Sequence, residues 1–479
     1  MKTRSLLMSF LAVAALYAQP LTRWPENPRY YSYLGKPILL VTGAEHYGAV
    51  LNLDFDWRKY LQAQEADGMN YTRIFSGVYY EHPGAFGIPN NTLAPKPSRH
   101  LGPWMKNDAG KYNLDQFNPA YFERLREFTA EAAKRGVVVE MTFFTSIYGE
   151  PQWKLHAFHP ANNVNDTGIT DFKQVHTLNN GKLLEYQLRL VRKIATELNG
   201  FDNVLFEVQN EPWADQGRLA GVVHPGISPP QRDRWPNSVD APTPESYAWH
   251  ARIAAEFTAA ESRLPKKHLL AMNWSNFRDA IREVPAGIGA VHFHYAWPEA
   301  AYWNRHLNMP VGCDETGFMG PEDHVYRRQA WEFLLSGGAL YNHLDYSFKA
   351  GDEAGQSREP KAPGGGSPEL RRQLAALRHW LEATPFPRME IDLRVVAAAP
   401  GMVTHAFSLP GSVYVIYGWG AGLEEMTLMV PPGRWKVEWM DPAVAQPLPP
   451  EERRLSGGPL RLKPPAYGQD LALRLTKMP

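Results

Sequence analysis

The sequence predicts an α/β protein, a (β/α)8 TIM barrel followed by a small all-β sandwich. Three observations carry that reading. From Pro37 to about Pro385, eight short apolar runs alternate with longer amphipathic stretches. Several of those runs are hydrophobic almost throughout, as strands covered on both faces must be. From Phe386 onward the runs shorten, some alternate with period two, and Pro, Gly and Asp punctuate them.

The predicted barrel strands, in order, are 38–42 (ILLVT), 71–75 (YTRIF), 137–144 (VVVEMTFF) and 204–208 (VLFEV). The second four are 269–273 (LLAMN), 290–295 (AVHFHY), 310–314 (PVGCD) and 339–344 (ALYNHL). Helical patterns fall at 56–67, 119–134, 182–198, 244–264, 323–335 and 369–382. Asn118-Pro119 and Ser367-Pro368 place a capping residue before a proline that suits the first helical position. Helices after the fifth and sixth strands are weakly marked. The first strand leads into no glycine-rich phosphate loop, which weighs against a doubly wound sheet. The stretch 351–368, with Gly364-Gly365-Gly366, reads as a long loop after the eighth strand, on the side where barrel sites form.

Residues 1–18 read as a signal peptide. Lys2 and Arg4 precede an apolar run at 6–17 that is too short to span a bilayer. Cleavage after Ala18 sets the boundary used here, although Ala14 and Ala15 fit the small-residue rule better. No later segment has the run of about 20 apolar residues that a membrane span requires. The expected organisation is thus signal peptide 1–18, barrel 19–385 and sandwich 386–479, in a secreted or periplasmic protein. Lys plus Arg and Asp plus Glu both number 50, and a zero net charge argues against nucleic acid or anionic lipid as partner. A hydrophobic share of 44% excludes a mainly disordered chain, and the single cysteine excludes an intramolecular disulfide. Fifteen tryptophans exceed what a core alone needs and suit a cleft that stacks on sugar rings.

In such barrels the functional side chains come from the C-terminal ends of the strands. The fourth strand runs into Glu207-Val208-Gln209-Asn210-Glu211-Pro212-Trp213, and the seventh into Cys313-Asp314-Glu315-Thr316-Gly317-Phe318. Two glutamates at those mouths can face each other across the axis. Glycosidic bond cleavage needs such a pair, one carboxyl to protonate the leaving oxygen and one to attack or activate water.

Phe206 to Pro212 resembles the strand-four motif of the glycoside hydrolase clan that contains family 5 cellulases and mannanases. Asp314 to Phe318 resembles that clan's strand-seven nucleophile motif. The resemblance implies that Glu211 is the acid/base, Asn210 holds a sugar 2-hydroxyl and Glu315 is the nucleophile of a retaining hydrolase acting on β-glycosides. Arg73 matches the clan's arginine that keeps the nucleophile ionised, and also qualifies as a buried partner of Glu207. His292-Phe293-His294-Tyr295 matches the strand-six pattern loosely, with His294 nearer the strand end. His46, Trp213, Trp297 and Tyr346 are further candidates for sugar contact, and Trp153 fits core or cleft equally. The clan's strand-eight tryptophan has no counterpart in 340–346. The expected partner is a carbohydrate, and the mechanism calls for no metal or other cofactor.

Two other readings use the same residues. His292, His294, His343 and Asp345 suggest a metal-dependent hydrolase, and loss of catalysis would leave a glycan-binding protein. The histidines of 149–180, His156, His159 and His176, lack a compact ligand motif and read as part of a long loop over the cleft. Cys313 reads as a small buried hydrophobe. The stretches 81–112 and 213–244 are further candidate walls of the cleft.

Overall fold

The computed structural model describes residues 19–228, 230–357 and 363–479. The expected signal peptide lies outside the described residues, as do residues 358–362 of the loop after the eighth strand. Among the described residues, no helix is long and apolar enough to cross a membrane.

Eight parallel strands form the barrel: β1 Leu40–Ala44, β2 Tyr71–Phe75, β3 Val138–Thr145, β4 Val204–Asn210, β5 Leu270–Asn276, β6 Ala290–His294, β7 Val311–Glu315 and β8 Leu340–Leu344. Their order is β1-β8-β7-β6-β5-β4-β3-β2, so sequence neighbours pair from β2 to β8, β8 pairs with β1, and β1 and β2 face each other at the seam. Asn70 bridges that seam. Its side-chain amide donates to the Leu39 carbonyl at 2.8 Å and accepts from the Val41 N–H at 2.9 Å. Every residue of these eight strands is buried. That double burial is why they read as nearly continuous apolar runs.

Among the described residues, seven helices longer than four residues follow strands: α1 Trp57–Ala66, α2 Pro119–Lys134, α3 Leu183–Leu198, α4 Pro244–Ser262, α5 Pro298–Asn304, α6 Asp323–Leu335 and α7 Pro368–Glu382. Asn118 and Ser367 cap as predicted, accepting from Ala120 N at 3.2 Å and Leu370 N at 3.0 Å. The sixth strand is followed by the short α5. No helix is described between β5 and β6, where the chain crosses in bends. The predicted wall at 213–244 is more ordered than a loop. It holds an antiparallel hairpin, Gly217–Val222 with Ser238–Pro242, standing beside β5.

The C-terminal strands form two antiparallel sheets, a large one built around Val413–Gly420, Asp470–Met478 and Gly433–Asp441, and a three-stranded one. The alternation along Val413–Gly420 shows how they bury both faces. Val413, Val415 and Tyr417 join the barrel's continuous core, while Tyr414 and Ile416 join the sandwich interior. Tyr417 stacks on Trp331 of α6 with ring centroids 5.1 Å apart. Arg327 of α6 holds Asp470 through two bonds of 2.8 Å. The sandwich is therefore packed onto the barrel through one sheet face.

Candidate active site

The strand ends bring the predicted residues together at one mouth of the barrel. Glu211 follows β4, Glu315 ends β7, and His294 ends β6 between them. One carboxylate oxygen of Glu211, one of Glu315 and a ring nitrogen of His294 all lie within 4.8 Å of one another. His294 Nδ1 is 2.9 Å from Glu211 Oε1 and 3.5 Å from Glu315 Oε1. Tyr295 donates its hydroxyl to Glu315 Oε1 at 3.2 Å, and Arg73 reaches Glu315 Oε2 from below at 3.4 Å.

Local backbone irregularities make this convergence possible. Phe293 pairs with Cys313, but His294 pairs with Glu315, so Asp314 is an extra residue in β7. A bulge of this kind turns consecutive side chains to one side. Asp314 thereby meets Arg73 at 3.3 Å within the barrel, while Glu315 reaches the pocket. Glu211 and Tyr295 leave their strands with φ of 46° and 53°. Left-handed backbone costs a non-glycine residue about 1–3 kcal/mol and persists where the surroundings over-determine it. Around Glu211 they do: Asn273 Oδ1 accepts from its N–H at 2.9 Å, and Ser146 Oγ donates to its carbonyl at 2.6 Å. Tyr47, Phe86 and Phe318, also on the pocket wall, share the left-handed conformation.

The electrostatics favour an ionised Glu315. Burial pushes its carboxyl up, but His294 and then Arg73 outweigh this and hold it below the usual 4.5. His294 contributes more than Arg73, the residue to which the resemblance gave this part. Burial disfavours the imidazolium of His294, yet Glu315 and Asp314 raise it well above its ordinary value. His46 is the opposite case, since burial lowers it to about 4 and keeps the ring neutral.

The pocket above the pair has a volume of 540 Å³. Of the predicted residues, His46, Asn210, Glu211, Trp213, Tyr295 and Glu315 line it. Asn210 donates to Tyr148 Oη at 2.9 Å, and its Oδ1 has no partner within the protein. His294 is buried behind Trp213, with ring centroids 5.3 Å apart. Arg73 contacts Glu315 and binds Glu207. His292 lies deeper, 3.1 Å from Glu140 and 3.2 Å from Tyr31 Oη, away from the pocket. Trp297 lines a different cavity, and Arg278 stacks over it. Tyr346 is packed beside His46 and Phe318, with its hydroxyl unpartnered. Trp153 is core.

The residues named for a metal centre do not converge. His343 Nε2 bonds the Gly364 carbonyl at 2.6 Å, and Asp345 pairs with Arg371 at 2.5 Å, so neither joins His292 or His294. His176 pairs with Asp215 at 2.6 Å, whereas His156 packs on Trp153.

The pocket residues not singled out from the sequence include Tyr148, Glu81, Trp235 and Asp240. Tyr148 donates to Glu211 Oε2 at 2.6 Å, and its position just past β3 was the available signal. Glu81 comes from the loop after β2, while Trp235 and Asp240 come from the segment around the hairpin. Nothing local marks these three.

No protein-family model matches the chain, and no curated protein sequence matches it. Solved structures do. A glycoside hydrolase family 5 structure from Bacteroides vulgatus aligns with a TM-score of 0.61 at 13% identity, over 96% of this chain and 93% of that one. The fold is that of family 5 glycoside hydrolases. A second glycoside hydrolase aligns at 0.57 and 14% identity, over 96% and 97% of the two chains. Both alignments take in the barrel and the sandwich together. The endo-1,4-β-mannanase from Rhizomucor miehei aligns at 0.51 and 12% identity, over 76% of this chain and all of that one. At these identities the likeness is one of fold.

Proposed function

We propose that the protein is a secreted glycoside hydrolase that cleaves β-glycosidic bonds with retention of configuration. The observation that carries this reading is the carboxylate pair, with oxygens of Glu211 and Glu315 within 4.8 Å at the floor of a pocket. Retaining enzymes hold their carboxyls about 5–5.5 Å apart, whereas inverting ones need about 6.5–9.5 Å to admit a water. The short separation supports direct attack.

Glu315, kept ionised by His294 and Arg73, attacks the anomeric carbon as Glu211 protonates the departing oxygen. A glycosyl ester on Glu315 results. Water then attacks the anomeric carbon as Glu211 takes its proton, the bond from that carbon to Glu315 breaks, and the sugar is released with its original configuration. His294 and Tyr148 orient Glu211 through its two oxygens, and Tyr295 orients Glu315. Asn210, with its free Oδ1 beside the pair, receives a sugar hydroxyl. Trp213 offers a ring to a sugar face.

The test is to incubate the purified protein with aryl β-glycosides and follow the first-formed anomer by proton NMR. Prompt appearance of the β-anomer is expected; the α-anomer first would overturn the retaining assignment. Absence of turnover on aryl glycosides and on plant or microbial polysaccharides would overturn the hydrolase reading.

A further inference from the structure

A third buried carboxyl stands on the pocket wall, and the double displacement has no use for it. Glu81 is 4% exposed. Its Oε1 accepts from Tyr79 Oη at 3.0 Å, its Oε2 accepts from the Asn91 side-chain amide, and its N–H donates to the Leu93 carbonyl at 2.7 Å. These contacts fix its direction while occupying one acceptor position on each oxygen. A carboxylate offers about four such positions, so about two remain toward the pocket. Burial pushes the group up to about 7, with Glu315 and Glu211 adding to the rise. Burying an acid at such cost is sustained where donors meet it.

Among the described residues that line the pocket none is Lys or Arg, and His46, the basic side chain among them, is held neutral. Asp240 places a further carboxyl on the hairpin side. The rest of the wall is largely aromatic, including Phe75, Phe86 and Trp235. A ligand that fits must bring hydrogen-bond donors at its edge, apolar faces and no negative charge.

Building on the glycosidase reading, we infer that Glu81 determines specificity by accepting hydrogen bonds from two neighbouring hydroxyls of a neutral sugar. With Asp240 it turns away sugars bearing carboxylate or sulfate. A neutral sugar suits it better than an amino sugar, because the Tyr79 hydroxyl and the Asn91 amide already meet one position on each oxygen, and two further hydroxyls complete the set.

The experiment compares wild type, Glu81→Ala and Glu81→Gln on 4-nitrophenyl β-glycosides of neutral hexoses. It adds monodeoxy analogues of the best one, the glucuronide and the glucosaminide. In the wild type, removing the hydroxyls that face Glu81 should cost ~10–100-fold in kcat/KM. In Glu81→Ala those penalties should collapse to within about threefold of one another while the remaining ones persist. Glu81→Gln keeps the size and one acceptor, guards against misfolding, and should lose part of the same discrimination. Equal deoxy penalties in wild type and both variants would overturn the inference and leave Glu81 as a loop anchor. Preference for the glucuronide or the glucosaminide would overturn the neutral-sugar assignment. If wild type cleaves none of these, the glycosidase reading fails separately. Titration of free sugars, read by Trp213 and Trp235 fluorescence, then decides: weaker binding in Glu81→Ala supports the role, and equal binding ends it.

Discussion

Two acid–histidine clusters are stacked inside the barrel, and only the upper one meets the pocket. The upper holds Glu211, His294 and Glu315; the lower holds Glu140, Glu207, His292 and Asp314. Each is built of carboxylates around one histidine, and that chemistry alone does not tell the two apart. Access does. The lower cluster is closed off by Tyr31, Tyr71, Arg73 and Asn273, every one of them buried. Its charges are spent on one another and on Arg73, which carries their influence upward to Glu315. In the proposed mechanism chemistry belongs to the cluster that opens on the pocket, and positioning to the one that is sealed.

The largest effects should come from the upper cluster. Glu315→Gln removes the proposed nucleophile and should abolish turnover of every substrate, measured as product release. Glu211→Ala should cost ~10²–10⁴-fold on sugar leaving groups, where proton donation matters. Activated aryl glycosides should still form the glycosyl ester and then stall, and azide should restart them with a β-glycosyl azide as product. If azide rescues Glu315→Gln instead, giving an inverted product, the two roles are exchanged.

The lower cluster should show itself in stability before rate. Burial raises Asp314, but Arg73, His294 and His292 outweigh it and hold the carboxyl well below the usual range. Burial drives Glu207 the other way, up to about 7. Asp314 is the more firmly ionised of the two partners of Arg73, and Asp314→Asn should cost ~3–5 kcal/mol, as expected for breaking a buried pair. Glu207→Gln removes the less firmly ionised partner, keeps an acceptor for Arg73 and should cost less, about 1 kcal/mol at pH 6. Chemical denaturation of both variants measures the difference; equal losses would mean that the charge is shared.

Glu45, a sealed carboxyl outside both clusters, sharpens the contrast through pH. Burial raises it from 4.5 to about 7. The folded state then keeps a proton that the unfolded chain releases near 4.5, so stability must fall as pH rises from 4.5 to 7. Glu45→Gln lacks that loss while retaining an acceptor for Ala49 N, which Glu45 holds at 2.8 Å. Its advantage over wild type should grow by up to ~3 kcal/mol across this range in thermal unfolding. Parallel stability curves would show that Glu45 stays ionised.

The smallest expected effect is a shift in the activity profile. Glu315 must be ionised and lies below 4.5, so the acid limb of kcat/KM should fall below pH 4.5. Since His294 does the most to lower it, His294→Gln should move that limb upward by a fraction of a pH unit to about one. An unmoved limb would return the part to Arg73.

All eight barrel strands were legible to within two or three residues at each end, because burial on both faces leaves little but apolar side chains. The hairpin Gly217–Val222 with Ser238–Pro242 was not, since its first strand is largely exposed and carries no clean alternation. Glu211, Glu315, His294 and Arg73 were legible as polar groups at or near the ends of apolar strands. Trp213 and Trp297 looked alike, each following a strand, yet only Trp213 reaches the pocket. Tyr148, Glu81, Trp235 and Asp240 were missed.

By itself, then, the sequence determined which segments become strands and helices and which strand ends carry acids, because periodicity and burial act over a few neighbouring residues. The tertiary structure decided what those acids meet. Whether Asp314 sits as an extra residue in β7 depends on its pairing with β6, and that register is a property of two strands together. Whether Glu81 or Trp235 faces the pocket depends on loops folding back over the barrel mouth. Their contacts join residues far apart in the chain, and no local pattern encodes them.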